Sequence, residues 1–124
     1  MIGPLRPLLW VGSSRRDYRE FPPYVQHGFG FELFLAQTGQ HPPSAKAIKG
    51  FGSGVLELID DFEGNAYRVV YVVRFKEAVY VLHAFKKKAR RSIKTPLSEV
   101  NRVKRRLKDT ELDHALRISK VNKP

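Results

Sequence analysis

Three β-rich segments in the second half of the chain constrain the fold most strongly. Residues 55–59, 66–74 and 78–85 are rich in β-branched and aromatic side chains, and only the short polar connections 60–65 and 75–77 separate them. Connections this short join antiparallel neighbours, because a parallel crossover needs about a dozen residues or more. The sequence therefore predicts a meander of three antiparallel strands.

The middle segment is apolar at the centre of both of its faces. Its side chains alternate, so that one face carries Tyr67, Val69, Tyr71 and Val73 and the other carries Arg68, Val70, Val72 and Arg74. A sheet with two apolar faces is stable only when other elements cover them. We therefore expect both faces of this strand to be at least partly covered.

The remaining segments carry signals of a further strand and three helices. Residues 5–11 are typical of a short strand, and a helix is predicted to begin at Arg15 after a capping serine. A proline pair at Pro22 breaks this helix and suits the first turn of a second one, which continues to Gln37. Thr95 and the proline after it indicate the start of a last helix.

The predicted order is strand, two helices, three antiparallel strands and a helix, which describes an α+β domain with a four-stranded sheet. The 124 residues fit one domain of ordinary size. The apolar pattern fades after the last helix. We therefore predict a domain over residues 1–112, followed by a flexible tail over 113–124.

The lack of cysteine and the hydropathy of the first residues indicate the cellular compartment of the protein. The chain contains no cysteine, so it has no disulfide and no thiolate zinc site. Its first residues include a short apolar stretch that Pro4 and Pro7 interrupt, which is too short for a membrane span or a signal-peptide core. We expect a soluble protein of the cytoplasm.

Positive charge is concentrated in one part of the chain. The whole chain has 23 basic and 12 acidic side chains, a net charge of +11. Between Lys86 and Lys108 there are eleven Lys or Arg residues and one acid, a local net charge of +10. Such a segment repels itself unless a polyanion binds it, which favours a nucleic-acid partner. The alternatives are a solvated surface or, less readily, a membrane surface, because no aromatic residue follows Phe85.

Several short motifs accompany this order of elements. They are WVGSSR at 10–15, LFLAQ at 33–37, KGFG at 49–52, YRVVY at 67–71, YVLHAFKKK at 80–88 and KTP at 94–96. Together they resemble the RelE/HigB superfamily of toxins, in particular its phage-protein-like branch. The resemblance spans about residues 5–108, and YRVVY and YVLHAFKKK at this spacing are its most specific parts.

The resemblance implies the toxin of a toxin–antitoxin pair, which inhibits translation by cleaving messenger RNA, on the ribosome and without a metal or other cofactor. In this chemistry the 2′-hydroxyl of the message attacks the neighbouring phosphate, and basic side chains stabilise the transition state. It also implies a cognate antitoxin, commonly a small helix-turn-helix protein. An acidic segment of that partner is expected to cover the surface formed by residues 86–108.

The resemblance also implies site residues. Arg68 is expected to bind a phosphate, with a salt bridge to the acidic hairpin at 60–63 as the alternative. Lys86 and Lys87 are expected to hold the scissile phosphate or protonate the leaving oxygen, or else to make general RNA contacts. His83, with an ordinary pKa of about 6.5, suits acid–base catalysis, although a strand histidine is more often structural. The expected RNA-binding residues are Lys46, Lys49, Lys88, Arg90, Arg91 and Lys94.

Some positions depart from RelE itself. Its pair of lysines on the second strand maps to about Val55 and Glu57, and its C-terminal tyrosine maps near Ile93. The catalytic set is therefore rearranged, or drawn from His83 and residues 86–94, or weak. Tyr67 and Tyr71 are interpreted as core residues, with base stacking as the alternative.

Two other classes of protein remain as alternatives. A metal-dependent nuclease needs converging carboxylates, and the only cluster, at residues 60–63, reads as a solvated hairpin turn. A non-catalytic basic module is the second alternative, either a plain RNA-binding domain or a ParE-type toxin that inhibits DNA gyrase by protein contact.

Overall fold

The computed structural model describes residues 4–88 and 95–121. Its elements are β1 (Leu8–Trp10), α1 (Ser14–Arg19), α2 (Pro23–Gln37), β2 (Lys46–Ala47), β3 (Val55–Phe62), β4 (Asn65–Val72), β5 (Val79–Lys88) and α3 (Leu97–Val121). The predicted α+β class, the antiparallel meander and the last helix are confirmed. Within the described residues, no helix combines the length and the apolar character needed to cross a bilayer.

The sheet has five strands in the order β1-β5-β4-β3-β2, and the prediction of four strands was wrong. Strand β1 pairs in parallel with β5, whereas all other pairs are antiparallel. The additional strand, β2, consists of two residues that pair with Glu57 and Leu56. Two residues cannot show a periodic pattern, so this strand is defined by its partner rather than by its own sequence.

Helices cover both faces of the sheet. Helices α1 and α2 lie on one face, where Phe29 and Leu33 of α2 pack against Val69 and Tyr71 of β4. Helix α3 lies on the other face, where its buried residues contact Val70, Val72 and Leu82. The expectation that both faces of the middle strand are covered is confirmed.

A β-bulge changes the direction of side chains along β5. Val70 of β4 pairs with His83, but the next residue, Tyr71, pairs with Val81, so Leu82 is the extra residue. Because partners across a strand pair share a face, His83 lies on the α3 face together with Val70. Residues before and after the bulge alternate out of step, so the successive residues Leu82 and His83 both lie on the α3 face.

Helix α3 extends to Val121, beyond residue 112, where the sequence pattern placed the end of the domain. Its second half contacts the sheet at several points. Thr110 is buried, the hydroxyl of Tyr80 donates to Asp113, and the ring of His114 packs against Phe75. These contacts stabilise the last turns of the helix.

Tyr71 offers a test of the core. Its side chain is fully buried, and its hydroxyl has no hydrogen-bond partner among the described residues. Burial raises the pKa of this hydroxyl above its ordinary value. A buried, unsatisfied polar group destabilises the folded state, so Tyr71→Phe should raise the free energy of unfolding by about 1 kcal/mol in urea denaturation. The exposed Tyr24 gives the matched control, Tyr24→Phe, which should change nothing; a loss of stability in Tyr71→Phe would contradict this account.

Candidate functional site

Charged and polar side chains gather on the α3 face at one end of the sheet. Lys46, Glu57 and His83 lie in one row across the strands, with Val70 between the last two. Arg68 follows in the next row and Lys87 in the row after that, both on the same face. We call these five residues, Lys46, Glu57, Arg68, His83 and Lys87, the polar end of the sheet.

A buried ion pair lies at the centre of the polar end. The guanidinium Nη1 of Arg68 is 3.4 Å from both carboxylate oxygens of Glu57, and the two side chains are 8% and 12% exposed. The same nitrogen donates to Oγ1 of Thr95, at the start of α3, over 3.0 Å. The salt bridge of Arg68 is therefore to Glu57, not to the acidic hairpin at 60–63 that the sequence offered as the alternative. A phosphate can bind Arg68 only by sharing or displacing this carboxylate.

Burial makes the Glu57 carboxylate more basic. Desolvation raises its pKa above the ordinary value, and this effect exceeds the opposing attraction of Arg68, Lys46 and Lys87. A carboxylate with a raised pKa accepts a proton more readily than one on the surface. Sequence reasoning noted Glu57 only as a departure from the lysines of RelE.

Both ring nitrogens of His83 bind protein groups. Nε2 lies 3.0 Å from Oε2 of Glu99, and Nδ1 lies 3.2 Å from Nη1 of Arg106. Because a guanidinium can only donate, Nδ1 accepts and the proton resides on Nε2, which donates to Glu99. Burial lowers the pKa of His83, which favours this neutral form. The arrangement corresponds to the structural alternative for His83, not to a free acid or base.

Arg106 connects three elements. Its guanidinium donates to the carbonyl of Leu82, to His83 and to the hydroxyl of Ser13, just before α1. The close approach also explains Gly12, because a Cβ at that position would lie 2.8 Å from Nε of Arg106. In the sequence, Arg106 was only one of the eleven basic residues between Lys86 and Lys108.

Lys86 and Lys87 lie on opposite faces of β5. Lys87 pairs with Ala66 and belongs to the polar end, whereas Lys86 pairs with Tyr67 on the face of α1 and α2. Successive strand residues alternate in direction, so the two lysines serve different surfaces. Of the two, only Lys87 lies on the same face as Arg68 and His83.

The structure separates the other predicted RNA-binding residues. Lys46 belongs to the polar end, and the exposed Lys49 lies in the turn after β2, outside that group. The backbone of Lys88 pairs with Asn65. Arg90, Arg91, Lys94 and also Ile93 lie outside the described residues.

The acidic hairpin does not form a metal site. Asp60 and Asp61 are neighbours in β3 and point to opposite faces, and Glu63 lies in the turn with a φ of 50°. In the part of the chain that the structure describes, no three His, Asp or Glu side chains are grouped closely enough to hold a metal ion.

A cleft of about 320 Å³ opens beside the polar end, between α1, β5 and α3. The polar residues at its walls include Asp17, Glu20, Tyr67, Lys86, Glu99 and Arg102. Glu99 and Arg102 both come from the first turns of α3 and were not singled out by sequence reasoning. The sequence did distinguish Glu99, because it is the only acidic residue between Lys86 and Lys108.

The buried state of His83 predicts a pH dependence of stability. Its pKa in the folded protein is lower than that in the unfolded chain, so the unfolded chain binds more protons just below pH 6.5. The free energy of unfolding should therefore fall as the pH is lowered from about 7.5 to about 5.5. His83→Gln should remove this part of the pH dependence, and His27→Gln, at an exposed position, should retain it. Identical slopes in the three proteins would contradict the neutral, buried assignment.

The profile of the Phage derived protein Gp49-like family (DUF891) matches residues 16–108. This range includes the polar end, the cleft and the sheet from β2 to β5. No curated protein and no solved structure matches the chain. Because the matched range comprises most of the chain, the protein belongs to the Gp49-like family, a RelE/HigB-like family associated with the toxins of toxin–antitoxin pairs.

Proposed function

We propose that this protein is a toxin that cleaves messenger RNA on the ribosome as a metal-independent endoribonuclease. Membership of the Gp49-like family supports the toxin class. The observation that carries the enzymatic part is the buried carboxylate of Glu57, surrounded by the cations Arg68, Lys46 and Lys87 on one face of the sheet. The carboxylate of Glu57, whose pKa is raised, therefore lies next to positive charge. Attack by a 2′-hydroxyl requires both a base to accept its proton and positive charge to stabilise the phosphate.

The reaction assigns a separate role to each group. Glu57 accepts the proton of the 2′-hydroxyl, whose oxygen forms a bond to the adjacent phosphorus. The bond from phosphorus to the 5′-oxygen of the next nucleotide breaks, and Lys87 protonates that oxygen. The products are a 2′,3′-cyclic phosphate and a 5′-hydroxyl, so no water, metal or redox step is needed.

Arg68 acts in this scheme mainly through Glu57. Its bond to the carboxylate fixes the direction of the base, and its charge stabilises the negative charge that develops on the phosphate. This replaces the expectation that Arg68 grips the phosphate alone. Its bond to Thr95 also connects the start of α3 to the site.

Binding of the RNA backbone relies on the exposed basic residues of α3. Lys104, Arg105 and Lys108 are exposed on the helix that covers the polar end. Phosphate contacts of this kind bind without sequence preference and weaken as salt is added. They suit a protein that acts on ribosome-bound RNA, and hence in the cytoplasm.

A toxin of this kind needs an antitoxin to restrain it. We propose a small helix-turn-helix protein whose acidic segment covers the basic surface between Lys86 and Lys108. Crosslinking of the purified complex reports which face is covered, and protection of only the outer face of α2 would oppose this arrangement.

One observation favours a second candidate, a non-catalytic basic module. Arg68 and His83, two of the predicted catalytic residues, are both bound to carboxylates within the protein. A domain whose ionisable groups hold the fold together could still bind RNA, or could inhibit DNA gyrase by protein contact as ParE-type toxins do. Such a protein would leave transcripts whole after induction.

Mapping of transcript ends after brief induction distinguishes the two candidates. The wild type should yield cuts within codons, and Lys87→Ala should reduce their rate about a hundredfold by removing a charge from the transition state. Glu57→Gln, which keeps the shape of the base but not its basicity, should reduce the rate at least as much. Lys76→Ala, an exposed lysine in the β4–β5 loop, is the matched control and should cut normally.

Two outcomes would reject the proposal. If Lys87→Ala and Glu57→Gln were folded by circular dichroism and still cut at the wild-type rate, the polar end would not be the reaction site. If the wild type left transcripts whole and relaxed or broke DNA instead, the gyrase alternative would replace it.

A further inference from the structure

The cleft between α1, β5 and α3 combines features that the proposed cleavage reaction does not use. Aromatic side chains of Phe21, Tyr67 and Phe85 lie in its walls, and the ring of Tyr67 meets that of Phe21 edge-on at 5.0 Å. Lys86 and Arg102 contribute positive charge. The cleft of about 320 Å³ thus offers both apolar and charged surface to a ligand.

The interior of the cleft is rich in hydrogen-bond acceptors. Three carboxylates, those of Asp17, Glu20 and Glu99, line it against the two cations Lys86 and Arg102. Asp17 already accepts from Ser13, and Glu99 accepts from His83. Glu20, by contrast, is exposed, and its carboxylate makes no hydrogen bond or ion pair with the described residues.

The hydroxyl of Tyr67 is available to a ligand in the cleft. The residue is only 6% exposed and lines the cleft, but its hydroxyl oxygen reaches solvent and has no hydrogen-bond partner in the described parts of the chain. A tyrosine hydroxyl can both donate and accept a hydrogen bond. A ligand that carries a polar atom into the cleft could therefore bond to it.

The surface around the cleft is strongly basic. Glu20 also borders a shallow depression formed by Arg15, Arg16 and Arg19, which are all exposed on α1. On the opposite side, α3 exposes Arg105 and its neighbouring lysines. A basic peptide would be repelled by this surround, whereas an anionic chain would be attracted to it.

We propose that this cleft binds one unpaired nucleotide of RNA, with a base that carries an exocyclic amino group inside and its phosphate at Lys86 and Arg102. The inference rests on the proposed function in that RNA is the ligand, but it assigns a specificity site beside the polar end, with His83 common to both. Single-stranded RNA is commonly recognised in this way, by aromatic contacts and by hydrogen bonds to the edges of splayed bases.

The carboxylates determine which bases fit. An ionised carboxylate can only accept hydrogen bonds, so Glu20 binds an amino group that donates to it. Cytosine presents an amino group at the position where uracil presents a carbonyl oxygen. The cleft therefore accepts cytosine and the amino-bearing purines, and it discriminates against uracil.

Binding without cleavage tests this directly. The binding of two 2′-O-methyl hexamers, one of cytidine and one of uridine, is measured by fluorescence anisotropy; the methyl group blocks self-attack. The cytidine hexamer should bind about tenfold more tightly than the uridine hexamer. Glu20→Gln should abolish most of this preference, because the amide can donate to uracil as well as accept from cytosine. Tyr67→Phe should weaken cytidine binding about fivefold.

Matched variants separate base recognition from charge. Glu77→Gln, which removes the same charge in the β4–β5 loop, should keep the preference for cytidine. Arg102→Ala should weaken both hexamers about equally and by about tenfold, since a phosphate contact carries no base information. Circular dichroism of each variant verifies that it is folded.

Several results would overturn the proposal. They are equal binding of the two hexamers by the wild type, an unchanged preference in Glu20→Gln, or tighter binding of an arginine-rich peptide that is lost in Glu20→Gln. These results are independent of the cleavage proposal. If transcripts are cut but the protein binds both hexamers equally, only the proposal for this cleft is rejected. Base preference without cut transcripts would reject only the enzyme.

Discussion

The position of α3 over the sheet depends on the guanidinium of Arg106. It donates to Ser13, to the carbonyl of Leu82 and to His83, and so it connects the start of α1, the bulged strand β5 and α3. By donating to Nδ1 it fixes the proton of His83 on the opposite nitrogen, which then holds Glu99. One half-buried cation therefore orients His83 and Glu99, which line the cleft beside the polar end.

The polar end buries charge at a cost in stability. An ion pair such as Glu57 with Arg68 costs desolvation energy that its attraction barely offsets, and well-packed apolar residues are often as stable. Its presence on an otherwise apolar face, next to Lys87, fits a chemical role. Perturbed carboxylates of this kind cluster at functional sites.

The sequence predicted the parts of the fold that depend on local pattern. Alternation and short connections gave the meander, and proline positions gave the helix boundaries. The two-residue strand at Lys46 and the bulge at Leu82 left no local pattern. The contact between Arg106 and Ser13 joins residues 93 positions apart, and no spacing rule reaches that far.

The sequence named residues of the polar end but not their connections. Arg68, His83 and Lys87 lie on one face, and for His83 and Lys87 this follows from strand alternation. The separation of Lys86 from Lys87 did follow from strand alternation and could have been foreseen. Glu57 could not, because its basicity arises from burial by residues distant in sequence.

In the proposed reaction, the RNA supplies its own nucleophile at the polar end. The most direct measurement is cleavage of a ribosome-bound message carrying a single 2′-deoxynucleotide at a mapped cut site. We predict that cutting stops at that position and continues when the deoxynucleotide is moved one position away. Cutting at an unchanged rate next to the deoxynucleotide would contradict the account.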